Sequence, residues 1–152
     1  HELKARYPVL TVVIIGGITR VDEAIAHLKR VDGVMVGREA YQNPWSLAEV
    51  DEMLFDSLPD RTSRFDVLDR YNHYMEAQLR KGVPLKRLAR HLLGLFQGQP
   101  GARVWRRALS DEAFRAGADL SAIDSAERQL ETVLEKHVAS AAIPRPQMEL
   151  CG

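Results

Sequence analysis

Val9-Leu10-Thr11-Val12-Val13-Ile14-Ile15-Gly16-Gly17-Ile18-Thr19 is the stretch on which the fold turns. Its apolar run predicts a short buried strand that ends in paired glycines. Val21-Asp22-Glu23-Ala24-Ile25-Ala26-His27-Leu28-Lys29-Arg30 follows with apolar residues at helical spacing. A second short strand, Val34-Met35-Val36, then runs into Gly37-Arg38. The order is strand, Gly-rich turn, helix, strand, Gly-Arg turn. Glycines at the ends of parallel strands let backbone N–H groups approach an anion, and Arg38 adds a bidentate phosphate donor. In (β/α)₈ barrels such a site is commonly built by the loops after strands seven and eight. Two strands cannot close a barrel, so the pattern predicts a piece of a longer protein.

The 152 residues accommodate one domain or two small ones. No apolar run approaches the roughly 18 residues of a membrane span. The start, His1-Glu2-Leu3-Lys4-Ala5-Arg6-Tyr7-Pro8, reads as the tail of a helix stopped by Pro8 and not as a natural N-terminus. A single cysteine, Cys151, excludes an internal disulfide framework and fits a reducing compartment. It lies in the tail after Pro144 and Pro146 and reads as an incidental thiol. His1, His27, His73, His91 and His137 are scattered, and no Cys/His cluster has metal-ligand spacing.

Net charge is zero but unevenly placed. Residues 1–60 carry 6 Lys/Arg against 10 Asp/Glu, residues 61–110 carry 11 against 3, and residues 111–152 carry 4 against 8. A polyanionic partner would therefore dock on the middle block. The sign changes at 55–60, a plausible linker, and beyond Ser63 no strand signal remains. A helix is expected from Arg64 to Lys81, capped by Ser63 and stopped at Gly82, with Phe65, Leu68, Tyr71, Met75 and Leu79 on one face. A second is expected from about Leu85 to Phe96, carrying Leu88, Leu92, Leu93 and Leu95. The third is expected from Ala102 to Leu109, and a short fourth capped by Ser110-Asp111-Glu112 and ended by Gly117. The last runs from Ser121 to about Ser140 with a stripe of Ile123, Ala126, Leu130, Val133 and Leu134. After Pro144 the composition predicts disorder. Upstream, residues 39–45 read as a helical turn interrupted at Pro44, with a short helix from Ser46 to Met53. The stripes are core by default. Off them lie Arg87 with Arg90, and Arg103 with Arg106 and Arg107, interleaved with Gln97, Gln99 and Trp105. A charge run is by default a solvated face, but arginines among polar and aromatic neighbours suit phosphate contacts and base stacking.

At these residues a family resemblance emerges. Gly16-Gly17-Ile18 with Asp32-Gly33-Val34-Met35-Val36-Gly37-Arg38-Glu39-Ala40-Tyr41-Gln42-Asn43-Pro44 resembles the end of the barrel in tRNA-dihydrouridine synthases. Arg90 to Arg107, which includes Gly94-Leu95-Phe96-Gln97-Gly98-Gln99-Pro100-Gly101, is similar to their helical domain, most of all in the bacterial A subfamily acting on D-loop positions 20 and 20a. The long second motif is the more specific, since Gly-Gly and Gly-Arg turns occur in many FMN barrels. The resemblance implies an α/β plus all-α chain. Residues 1–54 would be the last two βα units of an FMN-binding (β/α)₈ TIM barrel, residues 61–140 a helical tRNA-binding bundle, and residues 141–152 a disordered tail. It implies a cytoplasmic flavoenzyme, monomeric at full length. NADPH reduces FMN, hydride passes from the flavin to C6 of a flipped-out uracil, and a cysteine protonates C5. Gly16, Gly17, Gly37 and Arg38 would line the FMN phosphate site. Arg103 and Arg106 would contact tRNA, with Arg90 and Gln97 as weaker candidates on the same surface.

Two departures stand out. Ile15 occupies the position before Gly-Gly where the family usually has Asn, which replaces an amide by hydrocarbon and removes any hydrogen bond it made. The catalytic cysteine and the flavin-contacting Lys and His belong to earlier barrel loops that these residues do not include, and Cys151 lies outside any such motif. A complete barrel needs about 200 to 250 residues and roughly 45 are here, so the chain by itself is expected to be inactive, with bare strand faces. Two other readings remain open: a non-enzymatic RNA-binding helical module, and a different FMN barrel oxidoreductase acting on a small molecule. The basic block counts against the latter, because a small substrate does not need it.

Overall fold

The computed structural model describes residues 1–55, 57, 58 and 61–141. The expected linker at 55–60 lies partly outside these residues, and the tail beyond Ala141, with Cys151, wholly so. The chain is helix-rich with one small parallel sheet.

Helix α1 (Glu2–Arg6) precedes strand β1 (Val13–Ile15), helix α2 (Val21–Leu28) and strand β2 (Gly33–Met35). The strands pair in parallel, Val13 opposite Gly33 and Ile15 opposite Met35, with α2 as the crossover. Both are shorter than the apolar runs suggest. A strand extends only as far as a neighbour offers ladder partners, and among the described residues β1 has β2 alone. Ahead of the ladder a side chain takes over: Val12 N–H donates to Asp32 Oδ2 at 2.8 Å, and Lys4 Nζ meets Asp32 Oδ1 at 2.9 Å. Lys4 Nζ also donates to the carbonyls of Pro8 and Leu10, each at 2.8 Å, so one ammonium ties α1 to the approach of β1. The Asp32 carboxyl is held below the usual aspartate value, chiefly by the Lys4 hydrogen bond and then by the Val12 amide.

Helix α3 (Arg38–Gln42) follows β2, and a 3₁₀ turn (Pro44–Leu47) opens with Pro44, which has no N–H to waste there. Helix α4 (Val50–Phe55) comes next. The expected single helix over 46–53 is thus two pieces, because the 3₁₀ turn is already committed to i→i+3 bonds such as Ser46 N–H to Asn43 O.

The larger core belongs to α5 (Arg64–Leu79), α6 (Leu85–Ala89), α7 (Ala102–Glu112) and α8 (Ser121–Ala141). Ser63 caps α5 as expected: its Oγ accepts from Asp66 N–H at 3.1 Å, and its own N–H donates to Asp66 Oδ2 at 2.7 Å. Gly82, with φ of +81°, follows the end of α5. Leu68 and Met75 of α5 are fully buried, as are Ile123, Ala126 and Leu130 of α8. Trp105 from α7 fills the centre, edge-on to Phe96 with ring centroids 4.9 Å apart, and Phe65 closes on Phe96 at 5.0 Å. Trp105 Nε1–H donates to Leu92 O at 2.8 Å, so the indole is satisfied where no water reaches it. The interleaved aromatic of the Arg/Gln block is therefore core and offers no face for stacking a base.

Two helices differ from expectation. The one expected over 85–96 stops at Ala89 and continues to Gln99 as linked turns: His91 N–H to Leu88 O, Leu92 to Ala89, Leu95 to Leu92, Gln97 to Gly94. Helix α7 instead runs on through Ser110-Asp111-Glu112, which start no new helix. Leu109 and Ala113 are buried on either side of the expected break, and Glu112 accepts from Ser125 Oγ of α8 at 3.2 Å.

Candidate functional site

Gly16 and Gly17 end β1 with φ of +93° and +77°, a left-handed turn that favours glycine. The space where each Cβ would stand is open, so nothing blocks an approach to the backbone there. One strand over, Gly37 leads into α3 and Arg38 begins it. A cavity of about 280 Å³ is lined by Gly16, Gly17, Ile18, Thr19, Met35, Gly37, Arg38, Glu39 and Gln42. All four residues singled out for a phosphate meet in it.

The cavity suits the terminal phosphate of a nucleotide in size and in donor chemistry: glycine backbone on one side, a guanidinium on the other. Glu39 is the one carboxylate in its lining, and Asn43 Nδ2 donates to its Oε1 at 2.8 Å. On the other wall Thr19 N–H donates to Glu23 Oε2 at 3.0 Å, which holds the turn after Gly17 against α2 and draws the Glu23 carboxyl below its ordinary value. Ile15 is 68 % exposed beside the paired glycines and offers no polar atom.

The candidate nucleic-acid residues lie elsewhere. Arg103 and Arg106 are exposed one turn apart on α7, and Gln97 is exposed in the turn that precedes it. Arg107, on the same face, is drawn 3.7 Å from Asp111. Arg90 is exposed as well, but its guanidinium lies 6.0 Å from the Tyr41 ring centroid on α3. His91 meets the same ring edge-on at 5.7 Å. Gly94 seals this contact: a Cβ there would collide with Gln42 O at 1.8 Å.

A second concavity was not foreseen. A cleft of about 590 Å³ is lined by Thr19, Arg20, Val21, Asp22, Asn43, Trp45, Ser46, Glu49, Met53 and Arg64. The Arg64 guanidinium lies over the Trp45 ring at 4.9 Å from its centroid, and burial lowers its pKa. The sequence signal was an arginine at the first position of a capped helix, where an acid is the ordinary choice. Among the described residues, no group of His, Cys, Asp and Glu could hold a metal ion, and no helix is long and apolar enough to cross a membrane.

Comparisons with known proteins bear on the whole arrangement. The family model for dihydrouridine synthase (Dus) matches residues 1–135. The tRNA-dihydrouridine(20/20a) synthase of Shewanella oneidensis is 47% identical over 134 residues, which cover 88% of this chain and 40% of that protein. Those of Escherichia coli K12 and Vibrio cholerae are 49% and 44% identical over 126 residues, 83% of this chain and 36% and 38% of theirs. The chain thus spans about 40% or less of the length of these curated relatives. By the extent of these matches, the chain belongs to the dihydrouridine synthase family.

Proposed function

We propose that this chain is the carboxyl-terminal part of a tRNA-dihydrouridine synthase that reduces uridines at D-loop positions 20 and 20a. Residues 1–54 act as the last two βα units of an FMN barrel and residues 61–140 as its helical tRNA-binding domain. The observation that carries the reading is the convergence of Gly16, Gly17, Gly37 and Arg38 on one cavity at the mouths of two parallel strands. A bound FMN supplies hydride-transfer chemistry, with NADPH as the reductant. The part played by this chain would be to hold the phosphate: the Gly16 and Gly17 backbone would receive it, and the Arg38 guanidinium would neutralise its charge. Arg103 and Arg106 bind tRNA phosphates, and Arg90 and Gln97 extend the surface. The catalytic proton donor lies in other barrel loops, so the chain alone is inactive. A tRNA substrate places the full-length enzyme in the cytoplasm, and it works as a monomer.

The test uses the full-length protein that carries this chain. Arg38→Ala lowers the flavin retained through purification, while Arg103→Ala and Arg106→Ala weaken tRNA binding and leave NADPH oxidation by the flavin nearly unchanged. Each arginine removed also flattens the salt dependence of tRNA binding by about one unit of slope. Full flavin content in the Arg38 variant, or equal losses in both assays for the α7 variants, overturns these assignments.

A further inference from the structure

The 590 Å³ cleft beside the phosphate cavity has the makings of a second site. Among the described residues, four buried side-chain polar atoms lack a hydrogen-bond partner, and three belong to residues that line this cleft: Asn43 Oδ1, Ser46 Oγ and Arg64 Nε. An unmade buried hydrogen bond costs the full desolvation of the group, so three gathered around one concavity call for an account. Together they form a mixed set: one acceptor, one donor, and a hydroxyl that is either. An apolar ligand would leave all three unmade.

The charges in the lining narrow the ligand further. Arg20 is bound bidentately by Asp22, at 2.9 and 3.0 Å, and so is already neutralised. Glu49 adds a second carboxylate, and Arg64 pairs with no carboxylate among the described residues. Two acids against two arginines disfavour a phosphate and favour an uncharged polar ring. One face of the Arg64 guanidinium lies over Trp45, and a guanidinium plane accepts a planar ring on its other face. We propose that this cleft binds a nucleobase of an RNA strand, stacked on Arg64 over Trp45 with its edge read by Asn43 and Ser46. The RNA rests on the function proposed above. Arg64 lies near the start of the basic block of residues 61–110, and the cleft shares Thr19 with the Gly16–Arg38 cavity, so an RNA strand held by both would run past it.

Trp45 makes the site observable in the chain itself, because the other tryptophan, Trp105, is fully buried in the core. Titration with hexauridylate is expected to quench tryptophan fluorescence in saturable fashion, and Trp45→Phe abolishes the quench. Arg64→Gln weakens the binding roughly tenfold, in line with the loss of one stacked base. Ser46→Ala weakens it several-fold without touching the stack, which keeps the test decisive if circular dichroism shows the Arg64 variant misfolded. NADPH is the control for adenine from a dinucleotide. Quenching by NADPH and not by the oligonucleotide overturns the proposal, as does quenching by neither. Salt-dependent tRNA binding that needs Arg103 and Arg106 but leaves Trp45 unquenched also sinks this site, and leaves the proposed function standing.

Discussion

The two ends of the molecule are built to opposite standards. Around Trp105 the helical segments close a continuous core in which Leu68, Met75, Leu109, Ile123 and Leu130 are shut off from solvent. In the βα end the buried hydrophobics among the described residues are Ile18, Ala24 and Val31 alone. Val13 and Met35 on the strands are nearly half exposed, Ile15 more so, and an apolar cavity of about 230 Å³ remains beside α2, β2 and α4. A parallel sheet is stable when both of its faces are covered; here Ile14 and Val34 on one face are half-buried, while Val13, Ile15 and Met35 on the other are exposed. The difference teaches where stability and chemistry reside. The helical part is held by that continuous core, whereas the cavity between Gly16–Gly17 and Arg38 is framed by two three-residue strands and a few polar ties.

The sharpest way to break that contrast is to damage each end equally. Trp105→Ala removes a fully buried indole and strands Leu92 O, so it should cost about 3–5 kcal/mol in denaturant unfolding. Ile15→Ser at the open strand should stay within about 0.5 kcal/mol. Comparable losses from the two would mean that the sheet is as well packed as the bundle.

Gly94→Ala probes the seam between the ends. With its Cβ driven into Gln42 O, the turn or α3 must shift, and overpacking of this kind costs about 1–3 kcal/mol. Amide exchange at Tyr41 and Gln42 should quicken along with the helical core. Unchanged exchange in α3 would show that the two ends are not braced there. Ser63→Ala removes the α5 cap and should cost about 1 kcal/mol, confined to the helical part.

The smallest effect is one of pH. Asp32 ties the strands and Asp66 caps α5, and both carboxyls are held below the ordinary aspartate value: Asp32 by Lys4 and the Val12 amide, Asp66 by the Ser63 hydroxyl and amide. Because the folded values are depressed, each contact contributes above the unfolded pKa and is lost as pH falls through the folded one. Below about pH 4 both ties should weaken. The Val12 amide resonance should move first and the helical signal later, since α5 keeps its packed face. Simultaneous loss would mean that α5 depends on the Asp32 tie.

What was legible in the chain follows the same division. The helix-period stripes of α5 and α8, the Ser63 cap and the Gly82 stop are local signals, and the structure honours them. So is the meeting of Gly16, Gly17, Gly37 and Arg38, which follows once two parallel strands are paired. The turns of 90–99 were not legible, because their cause is tertiary. Leu88 O accepts the Tyr71 hydroxyl at 3.3 Å, Leu92 O accepts Trp105, and Gly94 is pressed on Gln42, so the segment yields its i→i−4 ladder to partners far off in sequence. The run through Ser110 was misread because a capping signature says nothing of the buried Ala108 and Leu109 beside it. The Arg64 cleft was missed for a like reason: Trp45 and Arg64 lie nineteen positions apart and carry no shared spacing.

Gly94 has one last consequence. The linked turns of 90–99 hold Arg90 and Gln97, and they lean with no spare clearance on the helix whose first residue is Arg38. A displacement of those turns toward α3 meets the Gln42 backbone at once, so the turns and the helix that Arg38 opens shift as one unit.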